Sequence, residues 1–304
     1  MNKFANIYLA AAVVAVYVIY VLSSQWPDND IHLIFCDVGQ GDAILVTDGF
    51  WQMLIDGGPD AQVLECLGEY MPLWDRRIEL VIATHPDSDH IDGLRHVLQR
   101  FEVSEVMIQA IGKDTVDFKV FRSSLMEKLK NGTKLSFPKA GSRRRINTRI
   151  NIKNLSPRSK NADSLIWESS LTETELSALL SGQEERISNY NDLSIAVILQ
   201  VGRIRVLLSG DLEKAGEGAV LSSGLITDVD ILKAGHHGSK SSSSGGFLEE
   251  SKPENIVVSS GKNNKFGHPH PEVLQKFVEI GAEVWRTDEL GSIEIVIDGQ
   301  RYWF

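Results

Sequence analysis

A short apolar run, Leu80 to Ala83, passes directly into Thr84-His85-Pro86-Asp87-Ser88-Asp89-His90. A run of this length bounded by turn residues reads as a buried strand. Its end holds two imidazoles and two carboxylates between His85 and His90, and Pro86 makes the stretch a loop rather than a helical face. Imidazole nitrogen and carboxylate oxygen together suit borderline or hard divalent cations. A solvated acidic turn that caps the following helix is the plainer alternative. Recurrence weighs against it. Ser209-Gly210-Asp211 follows the apolar run Arg203 to Leu208, and Gly235-His236-His237-Gly238-Ser239 follows Val229 to Ala234. Alone, a Gly-Asp pair is a common turn and two histidines between glycines can be surface residues. Three strands ending in ligand-rich loops supply what a two-ion centre needs, a carboxylate to bridge and imidazoles to fill each shell. The chain is thereby constrained to a fold that gathers several strand ends at one edge.

The rest of the chain supports an α/β architecture. Strand-length apolar runs occur at Ile31 to Cys36, Ala43 to Val46 and Trp51 to Ile55, and further strands are expected at Glu105 to Gln109 and Arg149 to Leu155. Helical periodicity marks Gly93 to Phe101 and Phe118 to Leu129. The second half repeats the style, with strands at Ser194 to Gln200, Asn255 to Ser259, Glu283 to Arg286 and Ile293 to Ile297 and a helix at Pro271 to Ile280. The polar segment Ser156 to Asn191 breaks the alternation and holds one expected helix, Thr172 to Leu180, so it reads as a lid or a surface insertion. No fixed-period repeat is visible, which argues against a solenoid.

The first residues are of a different kind. Ile7 to Leu22 is an uninterrupted apolar run, and extension to Ser24 brings it close to the roughly 20 residues that span a bilayer. A cleaved signal peptide has an apolar stretch of about 7–15 residues and a small-residue exit, so an uncleaved anchor is the favoured reading and a signal peptide the alternative. Residues 1–24 are thus anchor or signal, 25–30 a linker and 31–304 one domain. Lys3 precedes the run and Asp28 and Asp30 follow it, which puts the domain outside the cytoplasm by the charge rule, or secreted if the segment is cleaved. A net charge of −10 excludes long-range attraction of a polyanion, so nucleic acid would need a local basic surface or metal ions. Cys36 and Cys66 are not in a C-x-x-C pair, and both are expected to be free thiols.

Taken in order, six motifs resemble the metallo-β-lactamase-fold domain of the ComEC DNA-internalisation family. They are Phe35-Cys36-Asp37-Val38-Gly39-Gln40-Gly41-Asp42-Ala43, Leu54-Ile55-Asp56-Gly57-Gly58, His85 to His90, Ser209-Gly210-Asp211, Leu232 to Ser239 and Gly267-His268-Pro269. The resemblance implies an αββα four-layer sandwich, preceded here by one N-terminal hydrophobic helix, with the metal site at one edge. It also implies a hydrolase that takes phosphodiesters or nucleic acid. Carried over, His85, Asp87, Asp89, His90, Asp211 and one of His236 and His237 form the expected metal shell, with Asp211 bridging one or two divalent ions. The broader superfamily has histidine where Asp87 stands, an exchange of nitrogen for oxygen that moves preference toward manganese, with zinc the other choice. It also has a histidine before the second-half strand, where this chain has Asn191-Asp192, so Asn191 is a candidate to complete the shell.

A metal-activated water attacking phosphorus is the expected chemistry. Asp89 is expected to orient that nucleophile, and His268 to donate to the phosphoryl or leaving oxygen. Asp37, Gln40, Asp42 and Asp56 are read as orienting the ligands from behind, while a tight glycine-dependent hairpin is the alternative for the first three. Lys139 to Lys160 carries eight basic residues and no acidic one, Arg143, Arg144 and Arg145 among them. This stripe is read as a phosphate-backbone contact or as protection of an exposed strand edge. Ser239 and Lys240 open a Ser-rich loop that is either a phosphate contact or a mobile connection. ComEC channels have a multi-span membrane region and this sequence has one hydrophobic segment. The expected partners are therefore DNA or another phosphodiester, such as one of cell-surface polymers, the membrane through the N-terminal helix, and a separate multi-span channel protein. A non-catalytic metal- or polyanion-binding module is the alternative from another functional class.

Overall fold

Period-two alternation along the apolar runs sets the layering. Ile31, Leu33 and Phe35 point to one face of the first strand and Ile34 to the other, and all four are fully buried. A sheet buried on both faces needs a cover on each. The computed structural model describes residues 3–156 and 187–304. Its first half runs α1 (Lys3–Ser24), β1 (Ile31–Phe35), β2 (Ile44–Asp48), β3 (Trp51–Ile55), α2 (Val63–Tyr70), β4 (Arg77–Ile78), β5 (Leu80–Ala83), α3 (Ser88–Arg100), β6 (Glu102–Val103), β7 (Glu105–Ile108), α4 (Val116–Lys130) and β8 (Lys134–Ser136). The second runs β9 (Arg143–Arg145), β10 (Ile150–Asn154), β11 (Val197–Val201), β12 (Ile204–Leu208), α5 (Lys214–Ser223), β13 (Ile231–Lys233), α6 (Gly245–Ser251), β14 (Asn255–Val258), α7 (Pro271–Glu279), β15 (Glu283–Arg286), α8 (Thr287–Leu290), β16 (Ile293–Ile297) and β17 (Tyr302–Trp303).

Two large sheets result, ordered β17-β16-β1-β2-β3-β5-β7-β8 and β15-β14-β13-β12-β11-β10-β9. Leu33, Phe35, Met53 and Ile82 of the first meet Ile152, Leu199, Val206 and Ile231 of the second in a central core. The outer face of the first sheet, Leu45, Leu54, Val81 and Val106, is covered by Leu67 of α2, Leu94 and Val97 of α3 and Phe121 of α4. The outer face of the second, Ile198, Leu207, Leu232 and Ile256, is covered by Val220, Phe247 and Phe277 of α5, α6 and α7. This is the expected αββα sandwich.

Strand direction decides where the loops meet. β1 and β3 both pair antiparallel with β2, and β3 pairs parallel with β5, so β1, β3 and β5 end at one edge. β12, β13 and β14 are likewise mutually parallel. The two edges join where Ile195 N donates to Thr84 O (2.9 Å) and Asp211 N to Ser194 Oγ (3.1 Å). Close backbone approach packs α3 onto the loops of the first sheet: a Cβ on Gly93 of α3 would lie 1.8 Å from Gly57 O, and one on Gly41 would lie 2.2 Å from Asp89 O.

Several expectations need correction. The His85 to His90 stretch is not all loop, because α3 starts at Ser88 with Asp87 in extended conformation at its N-cap, which puts Asp89 and His90 on the first turn. Pro86 lies before that start and leaves the helix intact. The Ser-rich connection is tied down at several points: Glu217 accepts from Ser243 N (2.6 Å) and Ser244 N (2.9 Å), and Ser242 Oγ donates to Gly235 O (2.7 Å). The expected helix Thr172 to Leu180 lies outside the described residues, as do Arg158 and Lys160.

The cysteines are not free. Cys36 continues the outward parity of Ile34, Cys66 lies on the buried face of α2 beside Val63 and Leu67, and the two form a disulfide with Cα atoms 5.9 Å apart. A bond that closes a 30-residue separation stabilises by about 3–4 kcal/mol on the chain-entropy account. Reduction is expected to lower the urea midpoint accordingly, and an unchanged midpoint would show that the bond contributes nothing.

α1 contains a 19-residue apolar stretch, Asn6–Ser24, none of it buried against the rest of the chain and long enough to cross a bilayer. Behind it, His32 bridges the linker and the last long strand, with Nε2 2.9 Å from Asp28 Oδ1 and Nδ1 2.6 Å from Glu294 Oε1. Burial opposes charge on this ring, but the two carboxylates outweigh it and raise the His32 pKa. A raised folded pKa gives stability that is full below the unfolded value near 6.5 and is lost as pH rises through the folded value. The stability gap between wild type and His32→Gln is therefore expected to be widest in mild acid and to shrink in alkali. Denaturation curves across pH test this, and a gap independent of pH would refute it.

Candidate metal centre

Asp211, just after β12, is 2% exposed and forms the middle of the site. Its Oδ2 lies 3.2 Å from His90 Nε2, 3.4 Å from His237 Nε2, 3.9 Å from His236 Nε2 and 4.0 Å from His85 Nε2. Asp89 joins from α3, with Oδ2 3.5 Å from His237 Nε2. Donor atoms of Asp89, His90, Asp211 and His237 all lie within 4.8 Å of one another. His236 and His237 are presented by a turn with left-handed backbone, φ 44° and 54°, between Gly235 and Gly238. Such conformations at non-glycine residues collect at functional sites.

The opposite nitrogen of each ring is held by an oxygen, which fixes the tautomer. His90 Nδ1 donates to Asp56 Oδ2 (2.8 Å) and His237 Nδ1 to the Ser259 carbonyl (2.9 Å). His236 Nδ1 meets Glu213 Oε1 at 2.9 Å. Thr84 Oγ1 donates its single proton to Asp56 Oδ2 (2.7 Å), so its 3.0 Å contact with His85 Nδ1 requires the ring to donate. All four rings therefore turn Nε2, the nitrogen a metal would take, toward Asp211, and those of His85, His90 and His237 are buried with no hydrogen-bond partner. Buried polar atoms left without partners are rare. Four imidazole nitrogens converging on a carboxylate, each ring backed by an oxygen, fit a divalent cation and its usual outer contacts.

Charge points the same way. Asp42, Asp56 and Asp211 are fully buried, Asp89 is partly so, and Lys233 is the buried ammonium among them. Lys233 Nζ bonds Asp42 Oδ2, Gly210 O (3.0 Å) and Asp211 Oδ1 (3.3 Å). Burial disfavours charge on the His90 and His237 rings, yet the carboxylates raise their pKa values well above the ordinary imidazole range. In the ion-free chain, protons on these rings and the Lys233 ammonium therefore balance the acids, and a divalent cation would take the place of the ring protons. Burial opposes ionisation of Asp211, yet His237, His90 and Lys233 hold its pKa well below the ordinary range. His268, whose ring centroid is 5.4 Å from that of His236, is driven down to about 4 by burial and by the neighbouring histidines. It is neutral at physiological pH.

Other residues singled out in the sequence lie differently. Asp87 is ion-paired with Lys113 Nζ (2.7 Å) rather than directed at Asp211. The Asn191 amide donates to Glu213 Oε1 (3.1 Å) beside His236. Asp37 is exposed and accepts from Gly39 N (3.1 Å), the local turn of the alternative reading, while Gln40 Oε1 accepts from Gly261 N (3.2 Å) and ties two loops of the edge together. Ser239 Oγ contacts Ser241 Oγ (2.9 Å), which in turn lies 3.4 Å from His236 Nδ1, and Lys240 is exposed beside Glu272. Arg144 is engaged by both oxygens of Glu105, Arg145 bonds the carbonyls of Asn147 and Thr148, and Arg143 lies with them on edge strand β9. Arg143 to Arg145 thus lie on a sheet edge, and Arg149 pairs with Asp48. Glu213 and Glu217 stand outside the motifs of the sequence, while Thr84 and Lys233 stand inside them with no role of their own assigned; the signal for Lys233 is a lysine inside the apolar run Val229 to Ala234.

Residues 36–260 match the model of the metallo-beta-lactamase superfamily, and the chain belongs to that superfamily of metal-dependent hydrolases. Within it the chain is similar to the ComE operon protein 3 of Bacillus subtilis (strain 168), 27% identical over 297 residues that cover 91% of this chain and 34% of that protein. It is also similar to the competence protein ComA of Neisseria gonorrhoeae, 26% identical over 272 residues that cover 88% of this chain and 32% of that one. Both are ComEC-family competence proteins, and the chain spans about a third of their length. The crystal structure of the metallo-beta-lactamase fold protein YhfI from Bacillus subtilis superposes with a TM-score of 0.52 at 13% identity, covering 87% of this chain and 100% of that one, and so shares the fold.

Proposed function

We propose that the chain is a membrane-anchored phosphodiester hydrolase that cleaves DNA in its uptake, with the domain outside the cytoplasm. The observation that carries the reading is the convergence of four imidazole Nε2 atoms on Asp211 Oδ2 in a protein related to competence proteins. The disulfide supports the location, since such bonds persist in oxidising compartments. The apolar α1 supports the anchor.

His85, Asp89, His90, Asp211, His236 and His237 would hold one or two divalent ions, manganese or zinc. A bound ion supplies Lewis acidity and a water nucleophile of near-neutral pKa. Asp89, whose side chain is 34% exposed, has its carboxylate at the open side, where it orients the attacking water and accepts its proton. Burial opposes its ionisation, but the neighbouring His237 and His90 rings prevail and hold its pKa below the ordinary range. His268, neutral and next to His236, donates an N–H to a phosphoryl oxygen. Asp56, Glu213 and the Ser259 carbonyl keep the rings in register. Phosphate contacts come from the loops that carry the site, through Lys240, Lys262 and Lys265. Phe266 is 51% exposed and stacks on His268, which offers a platform for an unpaired base.

The test is end-labelled single-stranded DNA given to the full chain in detergent with manganese or zinc. Cleavage that a chelator abolishes and Asp89→Asn suppresses is the expected result. Intact DNA with hydrolysis of a small phosphodiester would move the substrate to other phosphodiesters, and no hydrolysis at all would leave a binding module.

A further inference from the structure

The pole opposite the metal centre carries apolar side chains that the fold leaves in solvent. Trp26 is 67% exposed, Phe50 43%, Leu73 54% and Trp74 39%. They come from the linker, the β2–β3 turn and the loop before β4, so their grouping is a product of tertiary structure. Two contacts fasten Leu73 and Phe50 to the residues just past α1, and Trp74 follows Leu73 in the chain. The Leu73 N–H donates to Gln25 Oε1 (3.1 Å), and the Trp26 ring meets Phe50 edge-on with centroids 5.3 Å apart. Gln25 and Trp26 are the first two residues past Ser24, where the apolar helix ends.

We propose that this pole docks on the lipid bilayer, with Trp26, Phe50, Leu73 and Trp74 seated at the boundary between headgroups and acyl chains. The inference rests on the anchoring reading and deepens it. A helix that spans the bilayer delivers its last residues to the interface, and side chains fastened to those residues lie at the same depth. Tryptophan is the residue most suited to that layer, because its ring is apolar and its N–H finds partners among headgroups. The patch is contiguous with a membrane-spanning segment, so the lipid surface is its occupant. An exposed apolar cluster of this kind is otherwise costly on a soluble face.

The orientation of the metal centre follows. β3 starts at Trp51, next to Phe50, and ends at Ile55, next to Asp56. Five residues at about 3.3 Å each make about 17 Å, so the centre opens away from the bilayer, toward substrate arriving through the aqueous phase.

The two native cysteines are bonded to each other, so a nitroxide can be placed selectively at Leu73→Cys, at Phe50→Cys as a second position in the patch, and at Lys262→Cys on the site edge. Each full chain is reconstituted in phosphatidylcholine–phosphatidylglycerol vesicles and washed with alkaline carbonate. Collisional relaxation is then compared for oxygen, which concentrates in lipid, and an aqueous nickel chelate. The expected result is retention on the vesicles, loss of nickel access at positions 73 and 50, and full nickel access at 262. Retained chains with nickel access at 73 and 50 would overturn the docking and leave the anchor standing, with the patch free for a protein partner. Release of the chain by carbonate would overturn the anchor and the docking together.

Discussion

Replacement of Lys233 by methionine is expected to lower the stability of the ion-free chain by about 3–5 kcal/mol, the usual cost of removing one partner from a buried ionic group. Lys233 is fully buried, and its ammonium is the direct counter-charge of Asp42 and Asp211. Burial alone would lower its pKa, yet the two carboxylates raise it, so it stays charged. Methionine keeps the length of the side chain and fills the space, which confines the effect to the lost charge. The two carboxylates then lose the ammonium that lies between them and are left with the His90 and His237 rings as counter-charges. A divalent ion that binds the folded state restores part of the loss by mass action. Urea unfolding with chelator and with manganese checks both halves. A loss under about 1 kcal/mol in chelator would show that Lys233 is not the counter-charge.

Asp211→Asn is expected to reduce metal-dependent hydrolysis by more than about 100-fold, since even partners behind the ligands are worth 10- to 100-fold. Its Oδ2 is the atom on which the four rings converge, and its Oδ1 is held by Lys233. An amide keeps the shape but loses the charge, and it can turn an NH2 toward the imidazole nitrogens. Asp56→Asn makes the comparison informative, because Asp56 acts through His90 and Thr84 rather than at the centre. Its smaller loss should appear as weaker metal affinity, measured by titration, with activity regained at high metal. Loss at Asp211 should persist at saturating metal. Equal recovery in both variants would remove Asp211 from the middle of the chemistry.

Much of this site was legible because metal ligands need particular atoms, and those atoms stand in the sequence at strand ends. His85, His90, Asp211 and the His236–His237 pair follow apolar runs that had to become strands, and parallel pairing brought the ends together. What was not legible depends on partners far apart in the chain. Asp87 has the chemistry of a ligand, yet Lys113, 26 residues on, takes its carboxylate. The arginines from 143 to 145 have the chemistry of a phosphate contact, yet Glu105, 39 residues back, takes Arg144. The cysteines gave no spacing signal, because their pairing needs the outward parity of β1 to meet the inner face of α2. Glu213 and Glu217 are ordinary acidic residues of a helix start until the fold sets them against His236 and the serine loop.

The proposed function requires that metal occupancy of the cluster around Asp211 drive phosphodiester hydrolysis. Its most direct test is a titration of manganese into the chelator-stripped full chain, with bound metal and cleavage of labelled single-stranded DNA read from the same samples. Cleavage is expected to be absent in stripped protein and to rise in proportion to the ions bound. Cleavage that survives the stripping, or full occupancy without any cleavage, would contradict it.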